Sequence, residues 1–402
     1  MSDRTDSRSR SSTTGFSRRE LLALTGTSVA TLAGCTGGGD GGTDTPASSP
    51  TDAQSPTPTA TATATATPSA TATQSASPTP TPDAEERAAR YGCPNLEADG
   101  DYDVVVAEDG SGDFESVQAA VDSLSPGTYE EQRVFIAPGR YKEKLNIPET
   151  LSDVTFVGEN PQETVLTYDD HADKTDENGD PIGTSGSSSV FVRCDDFSAV
   201  NLTFENAADP VAQAVAMRPT GDRVLFYNCR FLGNQDTLYT RGKQTNQYYR
   251  HCYIEGDVDF IFGAATSYFE DCEIFCTDDG YVTAASTVED REYGYVINNC
   301  TIHGDAPPRS VYLGRPWQRH AQTVILNTYM GEVITHAGYD PWPESNHPDK
   351  TKTAYYAEYN NEGPGWAPDS RPDGVHQLTE EEAQPYTDVT EVFQGWDPKA
   401  CL

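Results

Sequence analysis

The stretch 228–263, NCRFLGNQDTLYTRGKQTNQYYRHCYIEGDVDFIFG, decides the fold because it contains two copies of one short pattern. Each copy has a polar residue, a small apolar residue, a variable residue and a large apolar residue, as NCRF at 228–231 and HCYI at 251–254. The two apolar positions lie two residues apart, so on a β-strand they point to the same face. One such unit is too small to bury that face alone, and the copies must therefore stack on one another.

This four-residue signature recurs along the chain, and successive copies favour a parallel solenoid. From Leu202 its second position advances by 27, 23, 20, 28 and 28 residues, as expected for coils with loops of unequal length. The alternative is an antiparallel sandwich of short strands. In the solenoid, Cys229, Cys252, Cys272 and Cys300 form an inward ladder of small buried side chains. The further copies are DVTF at 153–156, NLTF at 201–204, DCEI at 271–274, NCTI at 299–302 and a weaker NTYM at 327–330.

One helix is predicted near the start of this region. The segment SVQAAVDSL at 116–124 has an amphipathic pattern typical of a short helix. It places four apolar residues on one stripe: Val117, Ala120, Val121 and Leu124. We expect this helix to cap one end of the solenoid.

The charge balance of the chain excludes some classes of partner. Its 402 residues include 63 acidic and 27 basic side chains, which gives a formal charge of −36. Such a surface argues against nucleic acid or an anionic membrane as a partner. It suits solubility in high salt, where repulsion is screened, and so predicts a halophilic source.

The N-terminal segment has the pattern of an export signal. A twin-arginine motif, SRRELL at 17–22, precedes an apolar run at 21–33 that is too short to span a bilayer. The run ends in LAGC at 32–35, which resembles a lipoprotein cleavage site with Cys35 as the lipidated residue. We therefore predict a twin-arginine lipoprotein signal peptide over 1–34. The mature protein is expected outside the cell, anchored through Cys35 to the outer face of the membrane.

The next segment predicts a tether. Residues 36–83 are almost only Gly, Thr, Ala, Ser, Pro, Asp and Gln, so they cannot build an apolar face. We predict a disordered linker over 35–88 and a single β-helix domain over 89–402. Cys93 and Cys401 bracket this domain and are candidates for a disulfide in an oxidising compartment.

Two acidic residues lie in the most distinctive motifs. GNQDTLY at 233–239 and GDVDFIFGAA at 256–265 place Asp236 and Asp259 23 residues apart, with Gln235 beside the first. Two carboxyl groups in one pocket can divide acid and nucleophile roles when their surroundings separate their pKa values. A neighbouring amide can donate to a developing oxyanion. The alternative interpretation is two solvated loop acids.

Seven motifs in order resemble the pectin methylesterases, the pectinesterase family of carbohydrate esterases. The resemblance covers about residues 101–400 and implies a right-handed, single-stranded parallel β-helix of the pectin-lyase-like type, with a groove across one face. With GNQDTLY and DFIFG, the matching segments are DGSGDFESVQAAVDSL at 109–124, GRYKE at 139–143, QAVA at 213–216, LGRPW at 313–317 and AEYNNEGPGW at 357–366.

The resemblance also implies roles for individual residues. Asp259 matches the family nucleophile, Asp236 the general acid and base, and Arg315 the arginine that holds the nucleophile. The remaining matches are Gln213 and Gln235 as oxyanion donors, and Trp317, Phe262 and Tyr239 as residues that line the substrate site. The chemistry requires no metal or other cofactor.

The implied activity is hydrolysis of the methyl esters of polygalacturonate in pectin, by a monomer, to pectate and methanol. The alternatives are a galacturonan lyase or glycosidase on a similar fold, a non-catalytic polysaccharide binder, and an esterase or thioesterase with another substrate. TAAST at 283–287 departs from a Gln-Gly-Arg stretch of plant members, which puts the substrate in question more than the reaction. Because de-esterified pectin is anionic, we expect a less acidic groove near Arg218, Arg241, Arg315 and Arg319.

Overall fold

The fold is built from parallel β-strands. Each coil of the chain contributes up to three strands, and each strand pairs with strands of the neighbouring coils. The computed structural model describes residues 94–97, 100–128, 130–342 and 350–402. The predicted signal peptide, Cys35, the linker and Cys93 lie outside the described residues. All pairings between strands in the described part are parallel, which confirms the solenoid and makes the antiparallel alternative wrong.

The first face of the solenoid is a sheet of eleven strands. Neighbouring strands in this sheet come from successive coils, so the sheet grows along the solenoid axis. In spatial order the strands are β1 (Val104–Val106), β2 (Gln132–Ile136), β5 (Ser152–Gly158), β8 (Asp195–Val200), β11 (Val224–Tyr227), β14 (Asn246–Arg250), β16 (Thr266–Glu270), β18 (Tyr295–Asn298), β21 (Gln322–Leu326), β23 (Tyr355–Tyr359) and β24 (Val375–Gln377).

Two long strands join the second and third faces into one sheet of thirteen strands. These are β15 (Tyr253–Gly263) and β17 (Glu273–Ala285), whose first halves pair on the second face and whose second halves pair on the third. The second face also has β3 (Gly139–Lys142), β6 (Thr164–Tyr168), β9 (Thr203–Asn206), β12 (Arg230–Leu232), β19 (Thr301–Gly304) and β22 (Tyr329–Met330). The third has β4 (Leu145–Ile147), β7 (Val190–Val192), β10 (Met217–Pro219), β13 (Leu238–Thr240) and β20 (Val311–Gly314).

Six of the seven signature copies lie in register on the second face. Their large apolar residues pair from coil to coil in the order Phe204, Phe231, Ile254, Ile274, Ile302 and Met330. The grouping of the copy at 153–156 with the other six is wrong. This copy belongs to β5 on the first face, where Val154 pairs with Phe197. Two apolar residues two apart occur on any half-buried strand, so the pattern alone does not identify the face.

The polar first position of the signature marks a corner between the first and second faces. Its residues adopt the left-handed backbone conformation, which Asn and Asp tolerate better than most residues. Their side chains also stack, as where Asn228 Nδ2 donates to Asn201 Oδ1 at 2.6 Å. The φ angles are 57° at Asn201, 51° at Asn228, 53° at His251, 53° at Asp271, 56° at Asn299 and 50° at Asn327.

The cysteine ladder lies in the core, as predicted. Cys229, Cys252, Cys272 and Cys300 are free, buried thiols on successive coils. They pack in the same cluster as a stack of aromatic rings, where Tyr249 lies 4.7 Å from Phe269 between ring centroids. Cys401 is disulfide-bonded; its predicted partner Cys93 lies outside the described residues.

The predicted capping helix is present as α1 (Val117–Ser123). Val117, Ala120 and Val121 are buried, and the Ser116 hydroxyl caps the helix by accepting from the Ala119 N–H. The remaining helices are short, and no helix in the described residues is long and apolar enough to cross a membrane. They are α2 (Gly183–Gly186), α3 (Glu380–Thr387), α4 (Val389–Val392) and 3-10 turns at Lys350–Lys352, Pro368–Ser370 and Pro398–Cys401.

Candidate active site

The eight catalytic and substrate-binding residues predicted from the sequence line a single cavity on the third face. This cavity has a volume of about 560 Å³. A neighbouring cavity of about 680 Å³ shares Tyr239 and Trp317 with it, so the two form one groove. The first cavity is lined by Gln213, Gln235, Asp236, Tyr239, Asp259, Phe262, Arg315 and Trp317, together with 182–185, Ala284 and Trp342.

Strand register places the two carboxyl groups on neighbouring coils. Leu238 pairs with Ile261, and Asp236 and Asp259 each lie two residues before one of these partners. The Asp236 N–H donates to the Val258 carbonyl at 3.0 Å, which ties the two segments together. The 23-residue spacing is thus the length of one coil.

Local backbone irregularities direct both acids into the cavity. Asp236 and Asp259 have φ angles of 68° and 52°, in the left-handed region. At Asp259 the strand also contains a bulge, because Val258 pairs with Tyr281 but Ile261 pairs with Thr283. A bulge re-aims side chains relative to a regular strand, and such features cluster at functional sites.

Gln213 and Gln235 also lie on neighbouring coils. The Ala214 N–H donates to the Gln235 carbonyl at 3.1 Å, so Gln213 lies on the coil that precedes Gln235. Both side chains line the cavity beside Asp236 and Asp259. The site therefore combines two amides and two carboxyl groups from three successive coils.

Arg315 binds Asp259 through two parallel hydrogen bonds. Its Nε donates to Oδ1 at 2.8 Å and its Nη2 to Oδ2 at 2.5 Å. This fork fixes the carboxylate as a single hydrogen bond would not. Arg315 follows β20, and its N–H donates to the Thr283 carbonyl at 3.0 Å.

Two aromatic rings lie close to the Arg315 guanidinium. Its Cζ lies 3.9 Å from the centroid of the Tyr281 ring and 3.8 Å from that of Trp342. Neither residue is among those predicted from the motifs. Tyr281 lies in β17, where the alternation of side chains along the strand is a sequence signal for the face that Tyr281 occupies. Trp342 lies in a loop, and no sequence pattern links it to Arg315.

The surroundings of Asp236 and Asp259 act differently on their pKa values. Burial raises the pKa of Asp236 well above its usual value, and the negative charge of Asp259 raises it further. Burial also raises the pKa of Asp259, but the hydrogen bonds and charge of Arg315 oppose this rise. The arrangement favours a protonated Asp236 beside an ionised Asp259.

Aromatic side chains form the wall of the groove. The rings of Tyr239 and Phe262 stack with centroids 4.1 Å apart, and Trp317 lies 5.8 Å from Phe262. Trp366 packs against the main core and is not among the residues that line the groove. Arg241 and Arg319 line the second cavity, and Arg218 lies over the Tyr239 ring.

Comparisons with known proteins place this chain in a family. The model of the family described as Pectinesterase matches residues 103–395. Pectinesterase 31 of Arabidopsis thaliana is 41% identical over 307 residues, which cover 74% of this chain and 95% of that protein.

Solved structures agree with this result. The pectin methylesterase from carrot matches with a TM-score of 0.67 and 31% identity, over 74% of this chain and 95% of that chain. A pectin methylesterase in complex with a hexasaccharide matches with a TM-score of 0.66 and 28% identity, over 74% and 99% of the two chains. The chain therefore belongs to the pectinesterase family of carboxylic ester hydrolases.

Proposed function

We propose that the groove hydrolyses the methyl esters of polygalacturonate and releases pectate and methanol. The observation that carries this proposal is the Arg315–Asp259 ion pair beside a buried Asp236, with two amides in the same cavity. An ionised carboxylate, a neutral carboxyl group and paired N–H donors are the groups that acyl transfer needs. The related complex with a hexasaccharide supports a carbohydrate ligand.

In the first step, an Asp259 carboxylate oxygen attacks the ester carbonyl carbon. The carbonyl oxygen gains negative charge, and the Gln213 and Gln235 amides donate to it. The bond to the methoxyl oxygen then breaks, and Asp236 gives its proton to that oxygen, so methanol leaves. The product is an anhydride between Asp259 and the uronate, with Asp236 ionised.

In the second step, Asp236 takes a proton from water while the water oxygen attacks the uronate carbonyl carbon. The same two amides stabilise this tetrahedral intermediate. The bond to Asp259 breaks, which releases the free uronic acid and an ionised Asp259, and the uronic acid then loses its proton to solvent. Asp236 is protonated again, so each acid ends the cycle in its starting state.

The activity is tested by methanol release from highly methylated pectin at molar salt, with Asp259→Asn as the comparison. We expect release by the unaltered protein and its loss in the variant. A galacturonan lyase would instead yield an unsaturated uronate, and a glycosidase would yield new reducing ends without methanol. A binder would retain pectin without any product. Each of these results would overturn the proposal.

The substrate is tested separately, because TAAST at 283–287 departs from plant members of the family. Methylated pectin should be a better substrate than a methyl ester without a uronate chain or an acyl thioester. Equal or faster turnover of either small substrate would show that the enzyme is an esterase with a different natural substrate.

We also propose that the protein is a lipoprotein exported by the twin-arginine route, of a haloarchaeal type adapted to high salt. The support is the Arg18-Arg19 pair, the LAGC box at 32–35 and the charge of −36. Cys35→Ser should release the protein to the medium, whereas the unaltered protein should remain in the membrane fraction. Equal release of both forms would contradict the anchor.

A further inference from the structure

The chain between β6 and β7 leaves the solenoid and returns along the wall of the groove. This segment, residues 170–187, is here called the cover loop. It closes on itself where the Gly183 N–H donates to the Ala172 carbonyl at 3.0 Å. Its returning part, 182–185, lines the cavity that contains both carboxyl groups. The position of the cover loop therefore shapes one wall of the site.

The cover loop also contacts the backbone of Gln213, one of the two amides of the site. The Ala172 N–H donates to the Gln213 carbonyl at 2.8 Å. One residue further along, the Ala214 N–H donates to the Gln235 carbonyl on the next coil at 3.1 Å. The place of the Gln213 side chain in the cavity thus depends on the cover loop as well as on the stacking of the coils.

One buried side chain, Asn206 at the end of β9, joins the cover loop to the segment that carries Gln213. Asn206 is only 3% exposed. Its Nδ2 lies within hydrogen-bond distance of three carbonyl oxygens, at 2.9 Å from that of Asp170, 3.1 Å from that of Ser187 and 3.0 Å from that of Val215. Asp170 and Ser187 are the two ends of the cover loop, and Val215 lies two residues after Gln213.

The pattern of the coils does not require an amide at this position. Asn206 lies two residues after the large apolar residue of its signature copy. At the same position the next four coils have only small residues, Gly233, Gly256, Cys276 and Gly304. A buried amide is costly unless its hydrogen bonds are made, and here both ends are satisfied, since Asn206 Oδ1 accepts from the Ala208 N–H at 3.0 Å. Because the other coils stack without this amide, the role of Asn206 is local to the cover loop.

We propose that Asn206 is a positioning residue for the reaction, which holds the Gln213 amide where the oxyanion develops by joining both ends of the cover loop to the segment 213–215. This inference rests on the proposed function and adds to it a residue that touches no reacting atom. Asn206 is not among the residues that line either cavity of the groove. An oxyanion donor acts only when its N–H is already aimed at the developing charge, so a small displacement of Gln213 lowers the rate. Binding of the uncharged ester depends on this aim much less.

The first test measures kcat and KM for methanol release from methylated pectin by the Asn206→Ala variant. Asn361→Ala is the matched control, because Asn361 is also 3% exposed and lines neither cavity. The side chain of Asn361 likewise bonds to backbone groups: its Nδ2 donates to the Ile325 carbonyl and its Oδ1 accepts from the Thr328 N–H, both at 2.9 Å. The control therefore removes a buried amide of the same kind away from the cover loop.

We expect Asn206→Ala to lower kcat about tenfold with little change in KM, because a misplaced donor is weakened and not removed. Both constants should stay unchanged in Asn361→Ala. An unchanged kcat in Asn206→Ala, a rise in KM alone, or an equal fall of kcat in the control would overturn the proposal.

A double-mutant cycle separates the positioning of Gln213 from general damage to the site. If Asn206 acts through Gln213, Asn206→Ala should have no further effect on kcat in a protein that already carries Gln213→Ala. An equal fall of kcat in the two backgrounds would show that Asn206 acts on the whole site, and would overturn the proposal.

Ser187→Ala is a milder variant of the same link and replaces Asn206→Ala if that variant does not fold. The Ser187 hydroxyl accepts from the Val215 N–H at 3.1 Å, so it joins the same two segments. Its loss should also lower kcat only in the protein that retains Gln213. The same fall with and without Gln213 would again contradict the proposal.

Hydrogen exchange measured by mass spectrometry tests the contact without turnover. Amides of 170–187 and 213–215 should exchange faster in Asn206→Ala than in the unaltered protein, and at the unaltered rate in Asn361→Ala. Unchanged exchange of both segments in Asn206→Ala would overturn the role of Asn206. If the unaltered protein releases no methanol, the proposed function fails, yet the exchange result still decides whether Asn206 holds the segment that carries Gln213.

Discussion

Asp236 and Asp259 occupy equivalent positions on neighbouring coils, each two residues before a strand residue that pairs with the other coil. Two successive coils of the fold thus supply one acid each. The surroundings of the two acids differ: Arg315 binds Asp259, whereas burial and the charge of Asp259 raise the pKa of Asp236.

Asp259→Asn should lower kcat by at least about 10²-fold, as expected for the loss of a nucleophile. The amide keeps the volume of the side chain, so the fold should remain, which circular dichroism checks. Asp278→Asn, on the next coil and outside the cavity lining, is the matched control and should retain activity. Activity of Asp259→Asn within tenfold of the unaltered protein would rule out the nucleophile role.

Gln213→Ala and Gln235→Ala should each lower kcat with little change in KM. Each amide donates to charge that develops in the transition state, and one such donor is worth about 3 kcal/mol. Steady-state kinetics on methylated pectin measures both constants. A rise in KM at constant kcat would instead assign these glutamines to ground-state binding.

Trp342→Leu should move the acidic limb of the kcat/KM profile to higher pH. The Trp342 and Tyr281 rings hold Arg315, and Arg315 opposes the rise in the pKa of Asp259 that burial causes. A looser Arg315 leaves that pKa higher, so Asp259 is ionised only at higher pH.

Tyr281→Leu removes the other ring and should shift the limb in the same direction. Measurement of kcat/KM against pH on a fully methylated substrate keeps the substrate charge constant. An acidic limb that stays in place in both variants would show that the rings do not position Arg315 for catalysis.

Asp153→Asn should stabilise the protein at neutral pH. Burial and the charge of Asp196 raise the pKa of Asp153 to about 6, above its value of about 3.9 in an unfolded chain. The folded state then binds more protons between these values, so the stability contributed by Asp153 is lost as pH rises from about 4 through 6. Asn also tolerates the φ angle of 53° at this position.

The melting temperature measured against pH checks this prediction. The gap between Asp153→Asn and the unaltered protein should be small below pH 4 and should widen up to about pH 6. If the two curves of melting temperature against pH run parallel, the raised pKa of Asp153 does not cause the difference in stability.

The sequence predicts the stacking of coils and the residues of the site, because both depend on short local motifs that recur or follow one another in order along the chain. It misplaces the copy at 153–156, since a strand on any face shows the same alternation of apolar residues. The contact of Trp342 with Arg315 has no local pattern, because it depends on how a loop returns to the groove. The bulge in β15 beside Asp259 likewise depends on how β15 pairs with β17, which no local pattern gives.

The ladder of free thiols can report how the solenoid unfolds. Cys229, Cys252, Cys272 and Cys300 each belong to a different coil, and a thiol in the core reacts with an alkylating reagent only when its coil opens. Mass spectrometry of partly labelled protein would count the thiols exposed in one event. Single additions would reveal coils that fray one by one, whereas fully labelled and unlabelled molecules alone would reveal a solenoid that opens as one cooperative unit.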